Sequence, residues 1–283
     1  MADNGSRGAV LISGASTGIG RACAEHLDGL GFTVFAGVRK QTDADSLREG
    51  PGRIRPLTLD VTDPGSIASA VQTVEADSPA GLAGLVNNAG IALGGPLEFV
   101  AIDEWRRQLE VNFIGQVAVT QAALPALRRR RGRIVNMTSI GGRLATPFFG
   151  PYNASKFALE AVTDALRLEM RPFGVEVVAI EPGAVATPIW AKGRETADQA
   201  VSQMPPEALE LYGEGIETLR KGIEQLEQSG VPPLEVARAV EHALVAGRPK
   251  TRYVVGREAK IGLTLSRWLP TRLMDRLVVR SMG

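Results

Sequence analysis

The sequence predicts a doubly wound α/β domain, a parallel sheet with helices on both faces, and three observations predict it. Short apolar runs alternate with longer helix-periodic segments, a pattern that joins parallel strands through right-handed crossovers. The runs are apolar at consecutive positions, which suits strands covered on both faces. A glycine-rich turn, Ser13-Gly14-Ala15-Ser16-Thr17-Gly18-Ile19-Gly20, joins the first run to the first helical segment. No interior stretch rich in Gly, Pro or Ser divides the 283 residues, so residues 1–283 are expected to form one domain.

Strand one is expected over Ala9 to Ser13 and the helix after it over Gly18 to Leu30. Gly14 permits the tight turn, Gly18 lets backbone approach a pyrophosphate, and Gly20 lets the helix lie close to the strand. Ser16, Thr17 and Ile19 complete a helix N-terminus that faces the phosphates. The spacing G-x-x-x-G-x-G differs from the commoner G-x-G-x-x-G, and the flanking strand and helix carry the inference more than the glycines do. Strand two, Thr33 to Val38, runs into Arg39 and Lys40. Val38 stands where an acid would accept the adenosine ribose hydroxyls of NAD, whereas the Arg39 guanidinium suits a 2′-phosphate. NADP(H) is therefore the expected cofactor, with NAD(H) as the alternative. Strand three, Ile54 to Leu59, leads to Asp60, placed to bond an adenine amino group, and to Val61 beneath the ring; Asp60 also suits a turn cap.

After a helix over Pro64 to Ala76, strand four covers Gly84 to Asn87 and runs into Asn88-Ala89-Gly90. One long helix is expected over Ile102 to Arg130, its terminal arginines complementing the helix dipole. Strand five, Arg133 to Met137, gives way to Thr138 and Ser139, where a hydroxyl just past a strand end can steady a developing oxyanion. The next helix, Tyr152 to Arg171, opens with Tyr152-Asn153-Ala154-Ser155-Lys156. A phenol and an ammonium four residues apart share a helical face. Free tyrosine titrates near ~10, so moving it to about pH 7 takes roughly 4 kcal/mol in favour of the phenolate. A lysine charge in a partly desolvated cleft is expected to supply much of that. Tyr152 is then proton donor to a carbonyl or base toward an alcohol. Strand six, Val175 to Glu181, precedes Pro182-Gly183, and a helix over Leu234 to Val245 leads to the last strand, Arg252 to Val255.

These motifs, in this order, resemble the short-chain dehydrogenase/reductase family over about Ala9 to Val255. The resemblance implies a single Rossmann-type domain with a seven-stranded sheet in the order 3-2-1-4-5-6-7 and an active site at the carboxyl ends of the strands. It implies a catalytic group of Asn112, Ser139, Tyr152 and Lys156. Lys156 then grips the nicotinamide ribose as well as tuning the phenol, and Asn112 holds a water that links the lysine to solvent. It further implies that the double asparagine turn, Asn87-Asn88 followed by Ala89 and Gly90, braces the sheet and borders the cofactor ribose, with Asn87, Ala89 and Gly90 as the expected cofactor contacts. Pro182, Gly183, Val185 and Thr187 then lie on the cofactor side, the last two against the nicotinamide carboxamide. Ser13 stands where the family usually has threonine. The expected activity is hydride transfer between nicotinamide and a ketone, aldehyde or secondary alcohol. The alternative is an NAD(P)-sensing or interaction protein without chemistry, which would not need all four catalytic residues.

Two segments stand outside the alternation. Residues 187–230 carry Trp190, Met204, Leu211, Tyr212 and Ile216, enough for a helical lid over the site. With Phe148 and Phe149 before Tyr152, they favour a small apolar substrate, steroid-, retinoid- or lipid-like. Residues 256–283 form a basic amphipathic tail that looks similar to the retinol and 17β-hydroxysteroid dehydrogenase branch. Such a tail suits packing on the lid or a sister subunit, with a membrane surface as the lesser alternative. The family implies a homodimer or homotetramer through the two long helices. A net charge of +1 offers no field for nucleic acid. His26 and His242 are isolated, so no metal is expected. Cys23 stands alone and can form no intrachain disulfide. Met1 to Gly8 lacks the apolar stretch of a secretory signal, and no run is long and apolar enough to span a bilayer. The cytoplasm is the expected location.

Overall fold

The protein is described by a computed structural model over residues 7–50, 52–202 and 204–280; most of the leader and the last three residues of the tail lie outside the described residues. In chain order the elements are β1 (Ala9–Ile12), α1 (Gly18–Gly29), β2 (Thr33–Val38), α2 (Gln41–Arg48), β3 (Arg55–Thr58), α3 (Pro64–Asp77) and β4 (Leu82–Asn87). There follow α4 (Ile102–Leu109), α5 (Gly115–Arg130), β5 (Arg133–Met137), α6 (Gly150–Met170) and β6 (Glu176–Pro182). The chain continues through α7 (Ile189–Ser202), α8 (Pro206–Ser229), α9 (Pro233–Val245), β7 (Arg252–Val255), α10 (Arg257–Trp268) and α11 (Thr271–Arg280).

All seven strands are parallel and pair in the order β3-β2-β1-β4-β5-β6-β7, the order the family resemblance implies. Alternate residues of β1 enter opposite cores, as the two-residue period of a strand requires. Val10 and Ile12 join Cys23 and Leu27 of α1 and Val236 and Val240 of α9. Ala9 and Leu11 join Ile67 and Val74 of α3 and Val119 and Leu127 of α5. Fully burying each such aliphatic side chain contributes about 1.5–3 kcal/mol. The sheet is thereby fixed from both faces.

Four expectations need correction. The edge strands β3 and β7 are only partly covered, and at that edge Pro56 removes no interior ladder bond. Helix α2 escapes sequence reading because only Ala44 and Leu47 of its eight residues are buried. The helix expected over Ile102 to Arg130 is interrupted by a π-turn at Glu110–Ile114. The helix bearing Tyr152 begins at Gly150.

Cys23 tests the seating of α1. Burial pushes its thiol up to about 12, which leaves almost no reactive thiolate at neutral pH. The folded protein is expected to resist a disulfide-exchange reagent such as DTNB and to react with one thiol per chain in urea. Rapid reaction of the native protein would contradict this packing.

Candidate active site

A cavity of about 520 Å³ opens at the carboxyl ends of the strands, at the reversal of strand order between β1 and β4 where open sheets bind ligands. Its lining runs from Arg39 and Asp60, past the glycine turn, to Ser139, Tyr152 and Lys156, and on to Trp190.

The turn after β1 is stitched to the turn after β4. The Ser13 hydroxyl accepts from the Asn88 and Ala89 amides at 3.0 and 3.1 Å. The Asn88 side chain donates to the Ser13 and Gly14 carbonyls at 3.1 and 2.9 Å. Gly14 and Gly18 adopt φ values of +65° and +59°, which favour glycine. A Cβ at Gly14 would lie 2.7 Å from the Ala89 Cα. Ser16, Thr17, Gly18 and Ile19 line the cavity. Thr17 caps α1 with no side-chain bond, so the side chain leaves the first-turn amides to another acceptor. Gly20 is not among the lining residues; an added Cβ would collide with the Gly14 carbonyl, so its role is close packing.

Arg39 flanks Asp60 at the far end. Burial pulls the Asp60 carboxyl upward, but the backbone and hydroxyl donors of Thr62 and the Arg39 charge hold it below its ordinary range. Val61, Ala89 and Gly90 line the same stretch. Asn87 does not. Its amide donates to Thr120 Oγ1 at 2.7 Å and Asn136 Oδ1 at 2.9 Å, so it braces the sheet while Asn88 borders the cavity. The two roles implied for the asparagine turn are thus divided between its members, and Asn87, expected at the cofactor, is the bracing one, because a one-residue step along a strand reverses the side-chain direction.

At the other end, the first turns of α6 bring Tyr152 and Lys156 beside Ser139. Ser139 caps a 3-10 turn at Ile140–Gly142, its hydroxyl accepting from the Gly141 amide at 3.0 Å, and it hydrogen-bonds the Tyr152 phenol. The lysine ammonium donates to the Met137 carbonyl at 2.7 Å and lies 5.9 Å from the tyrosine ring centre. Burial raises the phenol above its ordinary pKa, with the Ser139 bond opposing. The expectation of a lysine-lowered phenol is therefore not met in the free chain. Burial instead draws Lys156 down to about 8, against the upward pull of Glu160.

Asn112 sits in the π-turn. Its Oδ1 accepts from the Ile91 amide at 2.8 Å, and its Nδ2 donates to the Ile91 carbonyl at 2.9 Å and to Ser155 Oγ at 3.2 Å. Its side chain is thus committed to the chain itself. Pro182, Gly183, Val185 and Thr187 all line the cavity, and Thr187 sits over the glycine turn, 3.2 Å from where a Gly18 Cβ would be. Phe149 stands edge-on between Tyr152 and Trp190, with ring centres 6.4 and 6.3 Å away. Phe148, held at φ +65°, meets Tyr212 of α8 instead. Both histidines have partners away from the site, His26 with Glu241 and His242 with Tyr253.

The family model described as short chain dehydrogenase matches residues 8–198. The chain is 36% identical over 279 residues to an NADPH-dependent 3-dehydrocapnine reductase of Ornithobacterium rhinotracheale, covering 96% of each chain. It is 39% identical over 276 residues to human retinol dehydrogenase 16, covering 95% of this chain and 87% of that one. A solved short-chain dehydrogenase of Burkholderia cenocepacia in complex with NADP superposes with a TM-score of 0.74 at 26% identity, over 95% and 96% of the two chains.

The asparagine pair gives a direct contrast. Asn88→Ala deletes two bonds to the phosphate turn and is expected to weaken dinucleotide binding about tenfold, at about 0.5–1.5 kcal/mol per bond, read by NADPH fluorescence. Asn87→Ala is expected to lower the melting temperature with a smaller effect on affinity. The reverse pattern would overturn the assignment.

Proposed function

Because the chain belongs to the short-chain dehydrogenase family, we propose that it is an NADP(H)-preferring oxidoreductase acting on a ketone, aldehyde or secondary alcohol of an apolar, steroid-, retinoid- or lipid-like substrate. The observation that carries this reading is the joining of two half-sites in one cavity. A phosphate turn flanked by Arg39 lies at one end, and Tyr152, Ser139 and Lys156 lie at the other beside an aromatic wall.

The lining fits a dinucleotide. The close approach at Gly14 and Gly18, the α1 terminus without a side-chain cap and the cation at the end of β2 suit, in turn, the pyrophosphate and a 2′-phosphate. The NADPH dependence named for the capnine-series relative and the NADP of the Burkholderia complex support that preference. Asp60 and Val61 would hold the adenine, and Val185 and Thr187, with Pro182 and Gly183 lining the same cavity, would hold the carboxamide. When bound, the nicotinamide would supply or accept hydride.

This chain's own residues handle the proton. Ser139 Oγ and Tyr152 Oη converge on one substrate oxygen; the hydroxyl donates a hydrogen bond and the phenol transfers its proton. With its pKa raised by burial, the phenol is protonated at neutral pH and begins as the acid, the form needed for carbonyl reduction. Lys156 holds positive charge beneath it and would hold the nicotinamide ribose. Asn112 acts through the π-turn it pins, since its amide is spent on Ile91. Helices α7 and α8 form the lid, and Phe149 and Trp190 favour an apolar substrate.

Exposed Ile114, Phe157 and Leu168 on the two long helical segments suit burial in a homodimer or homotetramer. Trp268 is 83% exposed on the tail, and Leu273 and Leu277 form an apolar face on α11. That face fits a sister subunit; Arg272, Arg276 and Arg280, which flank it along α11, favour a membrane surface as the second reading. Among the described residues no helix is long and apolar enough to cross a membrane. The reading places the protein in the cytoplasm.

Tyr152→Phe is expected to lower turnover about 10²–10⁴-fold and leave NADPH binding intact; near wild-type rates would sink the acid role. Arg39→Ala is expected to weaken NADPH more than tenfold and NADH by under about twofold, a charge-assisted bond being worth about 1.5–3 kcal/mol; equal losses would refute the phosphate contact. The pH profile follows from the lysine. Its ammonium is retained below about 8 and lost above it, so kcat/KM for reduction should hold through neutrality and fall on the alkaline side. A profile that rises there would oppose this role.

A further inference from the structure

Behind the catalytic face of α6 lies a charged cluster that hydride and proton transfer do not use. It comprises Glu160, Asp164 and Arg167 of α6, Glu181 of β6, Arg143 after the 3-10 turn, and Arg252 of the edge strand β7. Glu160 and Glu181 are only 5% and 1% exposed. Arg252 joins them: its Nη2 lies 3.0 Å from Glu160 Oε2 and 2.7 Å from Asp164 Oδ2, and its Nε lies 3.0 Å from Glu181 Oε1. Arg143 reaches the same Glu181 oxygen at 3.1 Å, and Arg167 reaches Asp164 at 3.0 Å. Glu160 Oε1 and Glu181 Oε2 are buried without a hydrogen-bond partner. Carboxylates so placed are costly to bury, and stability alone would favour apolar residues there.

Their position relative to Lys156 supplies a use. Glu160 follows the lysine by one helical turn on the same face. The 3-10 turn presses on both through a bare glycine: a Cβ at Gly142 would lie 2.9 Å from the Lys156 carbonyl oxygen and 3.1 Å from Glu160 Cγ. The groups around the buried ammonium offer few anions. From β5 comes the neutral Met137 carbonyl, while the neutral amide of Asn112 in the π-turn meets Ser155, the residue before the lysine. Tyr152 on its own helix is protonated at neutral pH. Glu181 from β6 is shared between Arg143 and Arg252, and Asp164 between Arg252 and Arg167. Glu160 is itself shared with Arg252 at 3.0 Å; what sets it apart is its place one helical turn from Lys156 on the same face, with Oε1 left unpartnered.

We propose that Glu160 is a positioning residue for Lys156: anchored by Arg252 from the edge strand, its buried carboxylate keeps the lysine ammonium charged and seated beneath Tyr152. The inference rests on Lys156 serving the tyrosine, as proposed above. It gives β7 a part in catalysis without contact with substrate, because Arg252 fixes the carboxylate that fixes the lysine. The upward pull of Glu160 on the lysine against burial agrees with this placement.

The test reads Lys156 directly, in cofactor-free protein labelled with ¹³Cε-lysine, its resonance assigned by loss in Lys156→Arg. The wild-type midpoint is expected at about 8. In Glu160→Gln it should fall by about one pH unit, the lower end of a close charge's effect, and the alkaline limb of the rate profile should move with it. Asp164→Asn, which alters the same cluster one turn further on, should leave the midpoint in place. An unmoved midpoint in Glu160→Gln, or an equal displacement in Asp164→Asn, overturns the proposal. Should Glu160→Gln not fold, Glu160→Asp, which draws the carboxylate back by one methylene, reads the same coupling. The Lys156 midpoint must then fall by a smaller amount, and an unmoved one overturns the proposal. A wild-type chain without turnover would refute the functional reading and leave this titration intact.

Discussion

Burying one ammonium sets the geometry of this protein's working end. Lys156 is 4% exposed, and a charge in that position must find partners or lose its proton. Its bond to the Met137 carbonyl fixes how deeply α6 sits against the end of β5. Neighbouring bonds fix the rest. The Thr138 hydroxyl donates to the Ile180 carbonyl at 2.8 Å and ties β5 to β6. Asn153 donates to the Gly141 carbonyl at 2.9 Å and accepts from the Thr146 amide at 3.1 Å. The loop bearing Ser139 is thereby held against the helix bearing Tyr152. The meeting of the two hydroxyls is a consequence of where the lysine is allowed to lie.

The nucleotide end is organised around neutral polar groups. There the Ser13 hydroxyl and the Asn88 amide close the crossing between β1 and β4, and glycines let backbone approach backbone. Asn112 bridges the two ends by pinning the segment after β4 to the π-turn, while reaching Ser155 on α6. The glycine turn and the Tyr152/Lys156 face consequently belong to one surface, and the apolar cores beneath it keep the strand ends in register.

How much of this was legible in the sequence depended on the range of the causes. The seven strands, the glycine turn and the Tyr152/Lys156 face are written in local spacing, and spacing found them. Asn87 and Asn88 are one residue apart, and only the pairing of β4 with β5 decides which side chain faces inward. The π-turn is set by Asn112 bonding Ile91, 21 positions away in the chain, which helical periodicity cannot reveal. The direction of the tyrosine shift was misjudged because burial is a tertiary property, while the neighbouring lysine is visible on the page. Arg252 meets Glu160 across 92 positions, so the cluster behind the lysine left no sequence signal at all.

The central claim of the proposed function is that Tyr152 delivers its proton to the carbonyl of an apolar substrate at the place where the nicotinamide would deliver hydride. Isotope transfer tests it most directly. NADPH deuterated at nicotinamide C4 would be incubated with the protein and a panel of steroid, retinoid, fatty-chain and small ketones, and the products weighed by mass spectrometry. The expected result is a single deuterium at the carbinol carbon of an apolar member of the panel. Tight NADPH binding with no deuterium in any product would contradict the claim and mark a protein that holds the cofactor without using it.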